Sequence, residues 1–426
     1  MAGHSLYRNR RVLAWALYDW ANSAFATTVM AGFFPLFYKT FCNYGTDAQL
    51  STFRLGITSS AASLCVAVCA PLLGAFADER CTRKRFLAAF TLLGACATAA
   101  LFFIPQGSWF IPALIYGSAL VGFNCALVFY DSFLPDVSRD ESRHKVSSLG
   151  YSLGYLGGGI LFGINVLMYL FPGSFGLSGP VQAVKVSFVT AGMWWLMFSL
   201  PLFFFVSEKP RETMPLSFCA AVSGSLRQLR ATLALILGMQ ELKFFLLAYW
   251  FYIDGVNTVM KMAVDYGAAL GFGADALITA LLLTQFIGFP STLVFAKLSE
   301  GVGPRRGIAA GIGIYALTTI WASRMSSAWE FYVLASVIGL VQGGVQALSR
   351  SLYSQMVPPS QSAQFFSFFD IVGKFATVVG PALVGVVALY SGSSRGGVLS
   401  LLLLFLVGAF FLVRSGDGKG SMTIAA

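Results

Sequence analysis

The residues of this sequence best suited to chemistry are a carboxylate and an amide three positions apart in an apolar stretch, and the pattern occurs twice. The first copy is Tyr18-Asp19-Trp20-Ala21-Asn22-Ser23, and the second is Tyr252-Ile253-Asp254-Gly255-Val256-Asn257-Thr258. Both read Asp-x-x-Asn followed by a hydroxyl residue, and at 3.6 residues per turn these three side chains share one helix face. An acid on a membrane-spanning helix costs about 2.5–3.5 kcal/mol or more, so it usually faces inward and is often functional.

Two kinds of chemistry fit the repeated motif. Burial without a counter-ion favours the neutral form of a carboxylic acid, so Asp19 and Asp254 are candidates for taking up and releasing a coupling proton. Alternatively, each acid binds the ammonium group of a substrate while the adjacent amide and hydroxyl groups hydrogen-bond its polar parts. The residues predicted to form this path, in which the two tyrosines line the wall, are Tyr18, Asp19, Asn22, Ser23, Tyr252, Asp254, Asn257 and Thr258.

A purely structural role also fits the motif. Asp and Asn can cap a broken helix or pair with neighbouring backbone. Neither acid has a partner within its own helix turn, and Lys261, two turns beyond Asp254, is a distant one. Because the motif occurs twice, we favour the functional interpretation.

The elements that carry these residues are membrane-spanning helices. Of the 426 residues, 57% are hydrophobic and 11% are charged, against about 25% charged in a soluble domain. A helix needs about 20 apolar residues to cross a bilayer. Twelve such spans are predicted, at about 13–38, 54–77, 86–104, 109–134, 148–171, 186–206, 243–264, 275–298, 307–323, 329–356, 363–390 and 396–413.

The distribution of Lys and Arg predicts the orientation of the chain and explains its net charge of +10. Most of the 28 basic residues fall in the segments that are cytoplasmic if both termini are inside. The basic excess therefore predicts topology and not nucleic-acid binding. The two His and seven Cys show no metal-ligand spacing, and no nucleophile with its base or phosphate loop is present, so no metal, cofactor or enzymatic activity is expected.

Charged residues near the inner ends of the spans are predicted to act in gating. The loop at 74–85 has an acid followed by bases, and the segment at 297–306 repeats the acid-to-Arg spacing. Such loops either fix topology alone or lock the inner helix ends in one state and release them in another. The predicted gating residues are Asp78, Arg83, Lys84, Asp131, Glu300, Arg305, Arg350, Asp370 and Lys374.

The two halves of the chain follow one plan. Spans 4–5 and 10–11 match at an offset of 223, which aligns Gly150 with Gly373 and Gly157 with Gly380. We therefore predict two pseudo-symmetric six-helix bundles, at 1–206 and 243–426. The linker at 207–242 contains an amphipathic stretch, about 216–238, that is predicted to lie in the membrane interface.

Several segments together resemble a branch of the major facilitator superfamily, the vacuole effluxer-like family, which is named for an autophagy-related fungal amino-acid exporter and has many bacterial members. The matching segments begin at Trp15, Phe129, Ser148, Leu247 and Gly339 and span both halves. The loop at 74–85 resembles the superfamily's signature between helices 2 and 3, with one extra residue and without its central glycine. The resemblance implies a twelve-helix secondary transporter, with amino-acid export as the family's best-known role.

The sequence thus predicts an all-α integral membrane transporter that moves a small polar solute by alternating access through a central cavity, with a proton as coupling ion. We expect a monomer, a location in the bacterial inner (plasma) membrane and both termini in the cytoplasm. A broad-specificity drug efflux pump is the alternative within transport. A non-transporting receptor on the same fold is a further alternative, although it would be expected to carry a larger soluble segment than 207–242.

Overall fold

The computed structural model describes residues 9–79, 82–138, 143–208, 218–357 and 362–416, and it is helical with no strand in these ranges. Helices are found at all twelve predicted spans. The main helices are α1 (Arg10–Ala24), α2 (Ala48–Glu79), α3 (Arg83–Ala100), α4 (Phe110–Ser132), α5 (Arg143–Leu170), α6 (Pro180–Phe205), α7 (Phe218–Gly238), α8 (Gln240–Ala269), α9 (Ala274–Val302), α10 (Pro304–Arg324), α11 (Ala328–Met356), α12 (Ser362–Phe375), α13 (Val379–Ser391), α14 (Ser394–Leu399) and α15 (Leu401–Arg414).

By length and apolarity alone, seven of the described helices can each cross a membrane. The other five predicted spans fall outside this number. Among them, the first and the eleventh are divided into shorter helices, and the seventh is long and apolar enough only together with Arg230–Gly238. After α1 the chain continues as a π-helix at Phe25–Phe33, an α-helical turn at Phe34–Phe37 and a second π-helix at Tyr38–Cys42. The eleventh span is α12 and α13, separated by a break at 376–378.

The helix expected in the linker is present as α7. Between its last part, Arg230–Gly238, and α8 the chain bends by 112°. The direction of α7 therefore differs sharply from that of the span that follows it.

The chain divides into two compact units. The first comprises Met1–Thr46 and Ala61–Ser223, and the second comprises Asp47–Ser60 and Gly224–Ala426. In the first unit α1 packs on α5 and α6, and α3 packs on α4 and α6. In the second unit α8 packs on α15, and α10 packs on α11 and α15. Equivalent helices of the two sequence halves thus make equivalent pairs, which is the internal repeat that the sequence predicted.

Within the first unit, α3 and α6 are joined at both ends by lysine side chains. Lys84, at the start of α3, donates to the Val206 carbonyl oxygen at the end of α6, over 2.7 Å. Lys185, near the start of α6, donates to the Ile104 carbonyl oxygen just beyond α3, over 2.8 Å. Each cation satisfies a carbonyl group left free where a helix ends and complements the negative end of the helix dipole.

The second unit repeats this arrangement with arginine. Arg305, at the start of α10, donates to the Leu412 carbonyl oxygen at the end of α15, over 2.8 Å. Arg395, in α14, donates to the Met325 carbonyl oxygen just beyond α10, over 2.8 Å. The antiparallel pairs α3–α6 and α10–α15 therefore share one mode of attachment, reciprocal capping by basic side chains.

Candidate substrate and proton site

The first copy of the motif lies on α1 against a glycine-rich stretch of α5. Asp19 and Ser23 are partly exposed, and Gly154 of α5 faces both of them. A Cβ atom at Gly154 would lie 2.7 Å from Ser23 Oγ and 3.2 Å from Asp19 Cγ, so only glycine leaves room for the carboxylate at this approach. In the part of the chain that the structure describes, the Asp19 carboxylate accepts no hydrogen bond and has no basic group within ion-pair distance.

Further polar atoms on the same span as Asp19 also have no hydrogen-bond partner within the described residues. The Asn22 side chain is 1% exposed, and its Nδ2 has no acceptor. The same holds for Trp20 Nε1 and for Thr28 Oγ1, which lies on the π-helix that follows α1. Buried polar atoms are normally satisfied, so such a group calls for an explanation, and π-helical turns occur frequently at functional sites.

The second copy of the motif lies on α8 and is fully engaged. Asp254 is 2% exposed, and its Oδ2 accepts hydrogen bonds from the backbone N–H groups of Val379 (3.1 Å) and Gly380 (2.9 Å). Its Oδ1 accepts from Thr258 Oγ1 over 3.4 Å. The carboxylate thus caps the N-terminus of α13, where free N–H groups and the helix dipole favour a negative charge.

Asn257 contacts the other side of the break between α12 and α13. Its Nδ2 donates to the Ala376 carbonyl oxygen, just after α12 ends, over 3.4 Å. Asp254 was expected to lack a partner within its own helix turn, and Thr258 is the one contact of that kind, at 3.4 Å; its shorter hydrogen bonds come from the start of α13. For this copy the capping role, which the sequence left as the competing interpretation, describes the geometry.

Tyr18 and Tyr252 lie in the packed interior of their units, each with no exposed surface. Tyr18 shares a 2.7 Å hydrogen bond with Thr91 of α3, and Tyr252 shares one of 2.6 Å with Ser349 of α11. In the described conformation neither ring lines an open path, contrary to the prediction. Both instead attach the motif helix to a neighbouring helix.

The predicted gating residue Arg83 forms a buried charge cluster with two acids that were not among the predicted gating residues. Its Nη2 lies 2.7 Å from Asp136 Oδ2, and its Nε lies 3.3 Å from Glu208 Oε1. The guanidinium also covers the Phe133 ring at 4.9 Å from the centroid. Asp136 follows α4 and Glu208 follows α6, so Arg83 joins the ends of three helices. The sequence feature that could have identified Asp136 and Glu208 is their position just after two spans.

The other gating predictions divide into two groups. Lys84 and Arg305 cap helix ends, as described above. Asp131 is exposed and Arg350 is half-buried, and both take part in interactions. The side chains of Asp78, Glu300, Asp370 and Lys374 lie outside the described residues, so the inner charge network stays a prediction.

The seventh span is longer than predicted and carries two buried charges at its end. It was predicted to end near 264. The helix in fact continues to Ala269, so Lys261 (7% exposed) and Asp265 (0% exposed) are both helical and buried. Asp265 Oδ2 accepts a 2.6 Å hydrogen bond from Thr52 Oγ1 of α2. The spacing of positions 254, 258, 261 and 265 could have indicated this longer helix, because these positions lie on one helix face.

Twelve spans in two repeated sets of helices, with a polar motif on the first helix of each set, define a membrane transporter of the major facilitator type. Solved structures share this fold. A D-xylose–proton symporter matches with a TM-score of 0.71 at 13% identity, covering 96% of this chain and 98% of that one. A bacterial homologue of the human lysosomal transporter Spinster, in an inward-facing conformation, matches with a TM-score of 0.67 at 16% identity over 96% and 97% of the two chains.

Residues 43–423 match the model of the vacuole effluxer Atg22-like family, and the chain belongs to that family. It is 36% identical over 407 residues to the MFS-type transporter YxiO of Bacillus subtilis (strain 168), covering 94% of this chain and 93% of the relative. It is 23% identical to autophagy-related protein 22 of Coccidioides immitis (strain RS), covering 96% and 87%. The protein is therefore a multi-pass membrane transporter and not an enzyme, as predicted.

Proposed function

We propose that this transporter moves a small polar solute across the bilayer by alternating access and couples this movement to a proton through Asp19. The observation that carries the proposal is the difference between the two motif copies. Asp254 has its hydrogen-bonding capacity engaged by the break between α12 and α13. Asp19 is partly exposed and meets no donor among the described residues, so its carboxylate is available to a proton or to a cationic group of a solute.

The surroundings of Asp19 support a site with a changing occupant. Gly154 lets α5 pack directly against the Asp19 carboxylate, and the Asn22 amide group, one turn away, has a donor that is unused within the described residues. A carboxylate and an amide on one helix face provide an acceptor and a donor for a polar molecule.

Amino acids are the solute class that we propose to test first. The support is membership of a family whose fungal relatives include autophagy-related protein 22. Asp19 supplies the acidic group that an ammonium group requires. The excess of basic residues in alternate loops supports the orientation proposed from the sequence, in which both termini lie in the cytoplasm. We propose that the helices span the inner membrane of a bacterial cell.

Reconstituted protein tests the proposal directly. Wild type, Asp19→Asn and a control, Asp47→Asn, which changes an exposed acid before α2, are placed in liposomes and assayed for uptake driven by a pH gradient. Amino acids, sugars, nucleosides and the lipophilic cationic dye ethidium form the panel of solutes. Exchange of labelled for unlabelled solute without a pH gradient is measured in parallel, because exchange needs the substrate site without net proton movement.

We expect wild type and Asp47→Asn to accumulate an amino acid, and Asp19→Asn to lose gradient-driven uptake while it retains exchange. Full gradient-driven uptake by Asp19→Asn would remove the proton role. Transport of ethidium in place of every polar solute would favour the drug-efflux alternative.

A further inference from the structure

One face of α8 carries a row of four buried polar residues, which we call the α8 polar row: Asp254, Thr258, Lys261 and Asp265. None is more than 7% exposed. At 1.5 Å rise per residue, Lys261 lies about 6 Å along the helix from Asp265 and about 10 Å from Asp254. The row therefore alternates acid, base and acid along a single helix.

Lys261 is the member of the row that makes no hydrogen bond at all among the described residues. Its ammonium group has three donors, yet among the described residues no acceptor lies within hydrogen-bond distance and no carboxylate lies within 4.0 Å. Its side chain is 7% exposed, so bulk water does not replace the missing acceptors. A buried cation in this state is unfavourable, and a molecule that brings an acceptor of negative charge relieves the penalty.

The two acids of the row are engaged elsewhere. Asp254 caps α13 through Val379 and Gly380, and Asp265 accepts from Thr52 over 2.6 Å. Both remain close enough to reduce the positive potential around Lys261. A multiply charged anion such as a phosphate would be repelled by them, whereas a single carboxylate, with one negative charge and two acceptor oxygens, matches one ammonium group.

We propose that Lys261 is a specificity-determining residue that binds a carboxylate group of the transported solute. This inference rests on the proposed function and adds to it the class of group that is recognised. It assigns to α8 a role different from that of the acid on α1. A solute that presents a carboxylate binds, and the same solute with its carboxylate converted to an uncharged amide does not.

The test measures thermal unfolding of the full-length purified protein with matched pairs of ligands. L-Alanine, L-leucine and L-tyrosine are compared with their amides, and D-xylose and uridine serve as uncharged polar solutes. A ligand that binds the folded state raises the unfolding temperature. The variants are Lys261→Met, Lys261→Arg and the control Lys243→Met, which makes the same change in a less buried lysine near the start of α8.

We expect at least one carboxylate ligand to stabilise the wild type and Lys243→Met while its amide does not. Lys261→Met should weaken binding of that ligand about tenfold or more, as expected for a charge-assisted hydrogen bond, and Lys261→Arg should retain most of it. Without ligand, Lys261→Met should unfold at the same temperature as wild type or higher, because it replaces a buried cation that makes no hydrogen bond among the described residues by an apolar side chain of similar length.

Three results would overturn the assignment. These are equal stabilisation by acid and amide, stabilisation by uncharged solutes alone, and carboxylate binding unchanged in Lys261→Met. The acid–amide comparison uses the wild-type protein, so it tests carboxylate recognition even if a variant folds poorly. Solute flux in liposomes is scored separately. Flux of an uncharged solute would support the transport proposal and reject the role of Lys261. Carboxylate binding without flux would support the role of Lys261 and reject the transport proposal.

Discussion

The Asp254 carboxylate accepts a 2.9 Å hydrogen bond from the backbone N–H of Gly380, in the first turn of α13. The corresponding acid, Asp19, faces Gly154 in the middle of the unbroken helix α5. An unbroken helix has no free N–H groups at that position, whereas a helix start has up to four. The same sequence motif therefore forms a structural cap in one half and leaves an available acid in the other.

Replacing Asp254 by alanine should lower stability by about 1–2 kcal/mol, since it removes a cap and its interaction with the helix dipole. Asp254→Asn should cost less, because the amide oxygen still accepts one hydrogen bond. Asp19→Asn should leave stability unchanged, because that carboxylate has no donor among the described residues. Thermal unfolding in detergent gives the order, and equal losses for Asp19→Asn and Asp254→Ala would contradict the difference between the two copies.

The close approach of α5 to the motif predicts a functional effect of one methyl group. In Gly154→Ala the new Cβ would lie 2.7 Å from Ser23 Oγ, so the hydroxyl must rotate and the Asp19 carboxylate must shift. Alanine also favours a helix by about 1 kcal/mol over glycine, so stability should change little. We expect solute uptake in liposomes to fall several-fold.

The matched control is Gly159→Ala on the same helix, where a Cβ would meet no atom within 4 Å. It should raise the unfolding temperature slightly through helix propensity and leave uptake unchanged. A similar loss of uptake in both variants would show that helix stiffness, and not space beside Asp19, is responsible.

Much of this architecture is predictable because it depends on local properties of the sequence. Hydrophobic length located the twelve spans, and the repeated motif identified equivalent helices in the two halves. The different fates of Asp19 and Asp254 were not predictable in this way, because they depend on whether the partner helix is continuous. Gly380 is followed by Pro381, which has no N–H, and this was the local sign of a break in the eleventh span.

The missed charges have a related explanation. Hydropathy falls where Lys261 and Asp265 enter the sequence, so a span is placed too short even though the helix continues to Ala269. Likewise, the loop motif gave no indication of Asp136 and Glu208, the observed partners of Arg83. Contacts between helix ends depend on tertiary packing, which a loop motif does not report.

Reciprocal capping of helix ends predicts that Arg395 has a structural role. Arg395→Met removes hydrogen bonds to the carbonyl oxygens of Ser323 and Met325. We expect a loss of about 1 kcal/mol, within the range for a cation at a helix C-terminus. Arg324→Met is the control, because Arg324 is exposed at the end of the same helix, α10, and should change stability by about 0.5 kcal/mol or less. Equal unfolding temperatures for the two variants would argue against a capping role.

The hydrogen bond between Thr52 and Asp265 predicts a stability effect in the second unit, to which Asp47–Ser60 belongs. Both side chains are at most 3% exposed, and their oxygens lie 2.6 Å apart. Thr52→Val keeps the shape of the side chain and removes the donor, which should cost about 1–3 kcal/mol because a buried carboxylate oxygen loses a partner.

Thr58→Val on the same helix is the matched control. The Thr58 hydroxyl donates only to the Arg54 carbonyl oxygen one turn earlier, so its loss should change stability by about 0.5 kcal/mol or less. Asp265→Asn, alone and combined with Thr52→Val, completes a double-mutant cycle measured by thermal unfolding. A positive coupling between positions 52 and 265 is expected, since residues in direct contact are not additive. Additive losses would show that the hydroxyl contributes to stability through groups other than Asp265.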